Sequence, residues 1–469
     1  MKKNLSLNIV AILFSALFLS SCMTREKYER PAASVSEHLF RTDQISKDSL
    51  STANLSWRSV FTDPVLQKHI EKALENNLDV RVALQNITAA DAYLKQSKAA
   101  YLPSLSAGPN YTFQTQSLNT QSGRLLNERK YNDQFDISAS LGWELDIWGK
   151  LRSQEKAEFA NYLSTVSAHQ AVKSDLAAAV ASSYFQLLTL DDQQKIIKAT
   201  IALREKNLET TTALKEAGSL TEVAVQQSQA LVFNAESLLV NIEVQIELLE
   251  NTLSLLMNEP GHTIERSSID AQKMPAEFAL GYPANLLENR PDVRAAEYRL
   301  MNAFELTNAA KASFYPTLRI SGGAGLTSGD IDQLFNVNSL FANVVGGLTQ
   351  PVLNKRQIRT QYEVSKANQE IAYLNFRKKI LSAGKEVSDA LKIYQSQDRF
   401  ISLKRQELDA YKNSVNYSQE LVNYGLANYL EVIRASENQL NTELNISNAE
   451  YSKLDAAIEL YRALGGGWR

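Results

Sequence analysis

The chain has 469 residues, with 49 Lys and Arg against 52 Asp and Glu, a formal net charge of −3 and one cysteine. This mildly acidic balance offers no basic surface for nucleic acid, and a lone thiol rules out a disulfide within the chain. His38, His69, His169 and His262 stand far apart without metal-ligand spacing, so no metal, cofactor or enzymatic centre is expected.

In chain order, Lys2 and Lys3 precede an apolar run from Leu5 to Leu19, the layout of a secretory signal peptide. The run ends in Leu19-Ser20-Ser21-Cys22, which resembles the bacterial lipobox. Residues 1–21 are therefore expected to be removed and Cys22 to carry lipid, with 22–62 a lipidated, extended N-terminal segment. After residue 24 no eighteen-residue apolar stretch occurs, which leaves a closed β-barrel as the route across a bilayer.

Glycine and proline divide the rest. Between Gly149 and Gly218 lie 68 residues with neither breaker, and 41 more separate Gly218 from Pro260. In the second half, 73 residues between Pro351 and Gly425 contain only Gly384, and 39 lie between Gly425 and Gly465. Each half thus reads as a long helix and a shorter returning one meeting at a glycine turn, Gly218 or Gly425. A 68-residue helix would run roughly 100 Å.

The halves are also related in sequence. "ALENNLDVRVA" (73–83) matches "LLENRPDVRAA" (286–296) at seven of eleven positions, and the same shift of 213 places Pro103 on Pro316 and Leu105 on Leu318. The duplication predicts two repeats, 63–270 and 271–469. Each runs helix, strand, loop, strand, long helix, glycine turn, returning helix. The strands alternate: "SLSAGPNYTFQ" (104–114), "FDISASLGWELD" (135–146), "TLRISGGAGLT" (317–327) and, less cleanly, "LFANVVGGLTQ" (340–350). Strands of this length fit a tilted bilayer crossing with one face to lipid and one to water. A small barrel needs about eight strands, so one chain cannot close a wall alone.

"WRSVFTDPVLQKHIEKALENNLDVRVA" (57–83), "WELDIWGKLRSQ" (143–154), "LLENRPDVRAAEYRL" (286–300), "FYPTLRISGG" (314–323) and "LYRALGGGW" (460–468) occur in order. Together they resemble the TolC-like outer-membrane efflux lipoproteins of the OprM and CusC type. The resemblance implies a mainly α chain with a membrane β-barrel. As a homotrimer it would form a 12-strand β-barrel continued by a 12-helix α-barrel. It implies a passive exit duct in the outer membrane that works with a periplasmic adaptor (membrane fusion protein) and an inner-membrane RND-type transporter. A type I protein-secretion conduit has the same architecture; a periplasmic coiled-coil adaptor lipoprotein is a further alternative, though it usually carries one hairpin between β-rich domains.

By the same resemblance, the turns near Gly218 and Gly425 form the periplasmic gate. Some relatives carry an aspartate two residues past the second glycine, where Ala427 stands here. The candidate gate residues are therefore Glu222, Glu431 and Arg434 as charges, and Tyr424, Leu426 and Tyr429 as an apolar constriction.

Overall fold

The computed structural model describes residues 26–31, 39–41, 52–121, 123–125, 128–272, 279–280 and 286–469; the signal segment, Cys22 and His38 lie outside them. The first long helix, α1, spans Pro64–Asn76. Asp63 caps it, its carboxylate accepting from Val65 N at 2.8 Å, and Pro64 occupies the first turn, where no N–H is needed. Leu66, Ile70 and Ala73, at i, i+4 and i+7, are its buried face. Asn77 stops α1 and starts α2, Leu78–Ala99, by accepting from Asp79 N at 2.8 Å.

Strands β1 (Ser104–Thr115) and β2 (Tyr131–Leu145) follow. At the exit of β2 the Asp146 carboxylate accepts from Leu151 N and Arg152 N at 2.9 and 3.0 Å, and Gly149 takes φ +75°, so the strand turns directly into α3, Lys150–Glu216. Helix α4 spans Glu222–Leu256. The second repeat follows the same plan: α5 (Pro291–Ala312), β3 (Thr317–Ser328), β4 (Leu340–Thr349), α6 (Gln357–Asn423) and α7 (Tyr429–Leu464). The duplicated elements agree closely in length: α2 and α5 have 22 residues each, α3 and α6 have 67 each, and α4 and α7 have 35 and 36. No helix among the described residues is long and apolar enough to cross a membrane.

The chain divides into two compact units, each drawing on both repeats. One comprises residues 1–30, 88–164 and 297–375 and holds the sheet. Its strands lie antiparallel in the order β1-β2-β3-β4. A short strap, residues 26–30, lies on α5: Arg30 grips Glu297 with two hydrogen bonds of 2.7 and 2.9 Å, and Tyr28 packs edge-on to Phe304 at 5.6 Å.

The other unit comprises residues 31–87, 165–296 and 376–469. Its core gathers Leu66 and Ile70 of α1, Tyr184, Phe185, Leu187 and Leu188 of α3, Leu253 of α4, and Ile458 and Tyr461 of α7, all nearly inaccessible. Burying a large apolar side chain stabilises by about 1.5–3 kcal/mol, so this cluster dominates the unit. Two polar knots lie against it. Asp63 accepts from Tyr184 Oη at 2.9 Å and from Gln272 Nε2 at 2.8 Å. Arg290, with its side chain 3 % exposed, makes two hydrogen bonds to Asp292, one to Glu386 at 2.8 Å and one to Ala463 O at 3.0 Å. The C-terminal glycines pack here as well. Gly465 sits at φ +102°, and a Cβ there would fall 2.6 Å from the Asn289 carbonyl.

Candidate channel-forming sheet and helix turns

The register converts the alternation in sequence into two chemically distinct faces. Along one face, Ser106 lies opposite Ser140, which lies opposite Gly323 and then Asn343; Asn110 lies opposite Asp136 and Asp136 opposite Thr327. The Ser106 and Ser140 hydroxyls bond at 2.7 Å. Along the other face run Leu105, Leu141, Gly322 and Val344, a row of four alanines (Ala107, Ala139, Ala324, Ala342), and Pro109, Ile137, Leu326 and Leu340. In strand β4 the polar face carries Phe341 and Val345 beside Asn343, which is why its alternation reads poorly.

The apolar face is bare. Leu105, Tyr111, Phe113, Val344 and Leu348 are 71, 56, 55, 80 and 55 % exposed. Water-facing apolar surface on this scale marks an interaction surface, and alternating strands of 10 to 15 residues with one apolar face suit a bilayer. Near the β1–β2 loop, aromatic rings gather on this face, Tyr111 with Phe135 at 5.0 Å and Phe113 with Tyr131 at 5.9 Å. At the opposite end Trp143 Nε1 donates to Tyr101 O at 2.8 Å, and Trp148 Nε1 donates to Pro316 O at 2.7 Å while stacking on Tyr315 at 5.0 Å. Both Trp residues therefore serve packing within the chain. Glu144 holds Lys150 at 2.9 Å and Arg319 at 3.3 Å at this same end. The sheet does not close: β1 and β4 each have a strand on one side only. An unpaired edge cannot persist in hydrocarbon, where nothing else satisfies its backbone groups.

The two glycine turns share one geometry. Gly218 and Gly425 take φ +78° and +70°; Ser219 N reaches back to Leu214 O at 2.9 Å, and Leu426 N to Leu421 O at 2.8 Å, the left-handed C-terminal cap of a helix. The returning helices start differently. Asn428 caps α7 by accepting from Leu430 N at 3.1 Å. Thr221 makes no side-chain cap for α4; Glu222 is instead bridged to Lys215 at 3.0 Å across the turn and accepts from Gln226 at 2.9 Å. The Gln226 hydrogen bond, then Lys215, lowers the Glu222 carboxyl below its usual range, and the Lys215 ammonium is raised correspondingly.

The sequence candidates separate here. Glu222, Glu431 and Arg434 are exposed, as are Tyr424 at 80 % and Leu426 at 74 %. Tyr429 is 5 % exposed and packs with Ala224, Val422, Val432 and Ile433. It supports the turn from within. Lys215, which the sequence reading passed over, is the partner that holds Glu222; its spacing across a turn glycine was the available signal. Among the described residues no cluster of three His, Cys, Asp or Glu side chains is placed to hold a metal ion. His69 contacts the Glu265 carbonyl at 2.8 Å.

A model of the outer membrane efflux protein family matches residues 69–259 and 282–466. The cation efflux system protein CusC of Escherichia coli is 28 % identical over 464 residues, covering 97 % of each chain. The solvent efflux pump outer membrane protein SrpC of Pseudomonas putida is also 28 % identical over 464 residues with 97 % coverage of each. A crystal structure of CusC superposes with a TM-score of 0.83 at 27 % identity, covering 94 % of this chain and 99 % of that one.

Proposed function

The chain belongs to the outer membrane efflux protein family, and on that premise we propose that it is the outer-membrane exit duct of a tripartite efflux system for small solutes. The observation that carries this reading is the amphipathic sheet with two open edges. Two copies would bring only eight strands, a barrel whose interior side chains fill it; three bring twelve and leave a bore. The assembly is a homotrimer, with the apolar face toward lipid and the polar face toward water. That polar face is lined largely by hydroxyls, amides and glycine, which binds no solute tightly and suits a duct that must release what it carries.

Energy for transport comes from an inner-membrane transporter of the RND type, coupled through a periplasmic adaptor. The Gly218 and Gly425 turns form the periplasmic end. There Lys215–Glu222, Glu431, Arg434, Tyr424 and Leu426 face outward from each chain, and threefold repetition sets them in a ring. Cys22 carries the lipid that anchors the N-terminus to the outer membrane. The decisive experiment measures the mass of the detergent-solubilised protein and its conductance in a planar bilayer. A trimeric particle that opens discrete ion-conducting events is expected; a monomer that never conducts would end the proposal.

A further inference from the structure

We infer that the α2–β1 junction and the β4–α6 elbow are two halves of one docking surface, whose occupant is the other half on a second copy of this chain. The inference rests on the trimeric reading above and specifies how its copies meet. It follows from comparing equivalent contacts in the two repeats. Contacts made inside a repeat occur twice: Tyr101 Oη donates to Glu155 Oε2 at 2.9 Å, and the positions related by the repeat, Phe314 and Tyr362, pack edge-on at 5.6 Å.

Contacts made between the repeats occur once. The β2–α3 elbow packs on the α5–β3 junction, where Trp148 stacks on Tyr315 at 5.0 Å and bonds to Pro316 O. One turn farther on, Asn302 Nδ2 donates to Ala157 O at 2.7 Å. The equivalent positions are Leu353 and Leu102 for the first pair, and Val364 and Ala89 for the second. The shift is 213 for the junctions and 207 for the long helices, and Leu353 lies ahead of a two-residue insertion in the elbow. The chain has these groups, yet leaves all of them uncovered. Leu353 is 96 % exposed, its neighbour Val352 91 %, Leu102 69 % and Val364 51 %, against 0 % for Ala157.

The backbone agrees. Gly149 at φ +75° in the first elbow is matched by Arg356 at φ +67° in the second, so the same turn is built with a residue that adopts it less readily. On α3 the residues Ser153, Ala157 and Ala160 are buried, whereas their counterparts on α6, Thr360, Val364 and Ala367, are exposed. A face of small and apolar residues, already used once inside the chain, is left bare where its partner would have to come from beyond the β4 edge. Since β1 and β4 are the two edges of the sheet, continuing it into a second copy brings the next α2–β1 junction to this elbow. Leu353 then packs on the partner subunit's Leu102, and Val364 meets the partner subunit's Ala89. The contact is heterologous, head to tail, and closes into a ring.

The test is cysteine cross-linking in isolated outer membranes. Leu102→Cys and Leu353→Cys are made singly and together, with Trp148→Cys plus Tyr315→Cys as the within-chain control, and a short bismaleimide is added. The Leu102→Cys/Leu353→Cys protein should give denaturant-resistant bands at about twice and three times the chain mass; the single variants and the control pair should run as one chain. A native mass that remains trimeric while the double variant yields no higher band overturns this surface and leaves the duct reading standing. A monomeric native mass for the unmodified protein overturns both. Val364→Lys supplies a readout without cysteine: its trimer should dissociate at lower detergent concentration than the parent, and an unchanged dissociation curve counts against the surface.

Discussion

Replacing Arg290 with Met should destabilise the helical unit by about 3–5 kcal/mol, the range for removing one partner of a buried ion pair. The guanidinium is nearly inaccessible and makes four hydrogen bonds: two to Asp292, one to Glu386 and one to the Ala463 carbonyl. Its removal leaves Asp292 with Lys379 at 2.9 Å and Glu386 with Arg462 at 3.7 Å. Those contacts only partly offset the loss, which keeps the penalty within that range rather than above it. Burial alone would raise the Asp292 carboxyl; the hydrogen bonds and charge of Arg290, followed by Lys379, outweigh it and hold the group well below the usual carboxylate range. A depressed carboxyl contributes stability above its unfolded value of about 3.9, and that contribution is lost as pH falls through the folded value. The penalty of Arg290→Met should therefore be constant from neutral pH down to mild acid and shrink only in strong acid. The assay is urea unfolding followed by helical circular dichroism, in parent and Glu386→Gln backgrounds. The Arg290 penalty should be about 1–2 kcal/mol smaller in the Glu386→Gln background. A penalty under about 1 kcal/mol, or no coupling to Glu386, refutes the claim that this knot fastens the C-terminal helix.

Gly465→Ala must adopt φ +102° and place a Cβ 2.6 Å from the Asn289 carbonyl, so it should cost about 2–4 kcal/mol in the same assay. Gly218→Ala and Gly425→Ala, which meet open space, should cost only about 1–2 kcal/mol each. Cys22→Ala should abolish metabolic lipid labelling while the pore still conducts, because the sheet supplies its own anchorage; labelling that persists shows another attachment site. Glu431→Ala with Arg434→Ala should raise single-channel conductance, and an unchanged value removes both from the gate. The His169 imidazole is held below its ordinary value by burial and then by Lys173. Its contribution to stability is complete above pH of about 6.5 and falls away below it. His169→Gln should thus narrow the difference in unfolding midpoint between pH 7.5 and 5.5, and an undiminished difference would clear this residue.

Much of the fold was legible because its signals are local. The proline-free and nearly glycine-free spans became α3 and α6 within a residue or two at their glycine ends, and the alternation of "FDISASLGWELD" became the core of β2, which begins four residues earlier at Tyr131. What could not be read depends on distance in sequence. Nothing near Glu222 announces that Lys215 binds it, and nothing in "LLENRPDV" says that Arg290 will find Glu386, 96 positions away. Tyr429 illustrates the same limit in reverse. Beside a turn glycine it reads as a surface aromatic, yet helical spacing with Val432 and Ile433 carries it inward, while Tyr424 on the other side of the glycine stays in water. The extended N-terminal strap was expected only as a lipidated leader; its grip on α5 through Arg30 and Tyr28 requires partners 267 or more residues away.

Writing the same joint twice in one polypeptide, once as Trp148 on Tyr315 and once as Leu353 with Leu102, frees the two versions to diverge. A ring of six identical units has to loosen or tighten every joint at once. A chain that carries two unlike copies can keep the aromatic joint stiff and adjust the aliphatic one, so changes in how readily the tube widens can accumulate at alternate joints without weakening the rest.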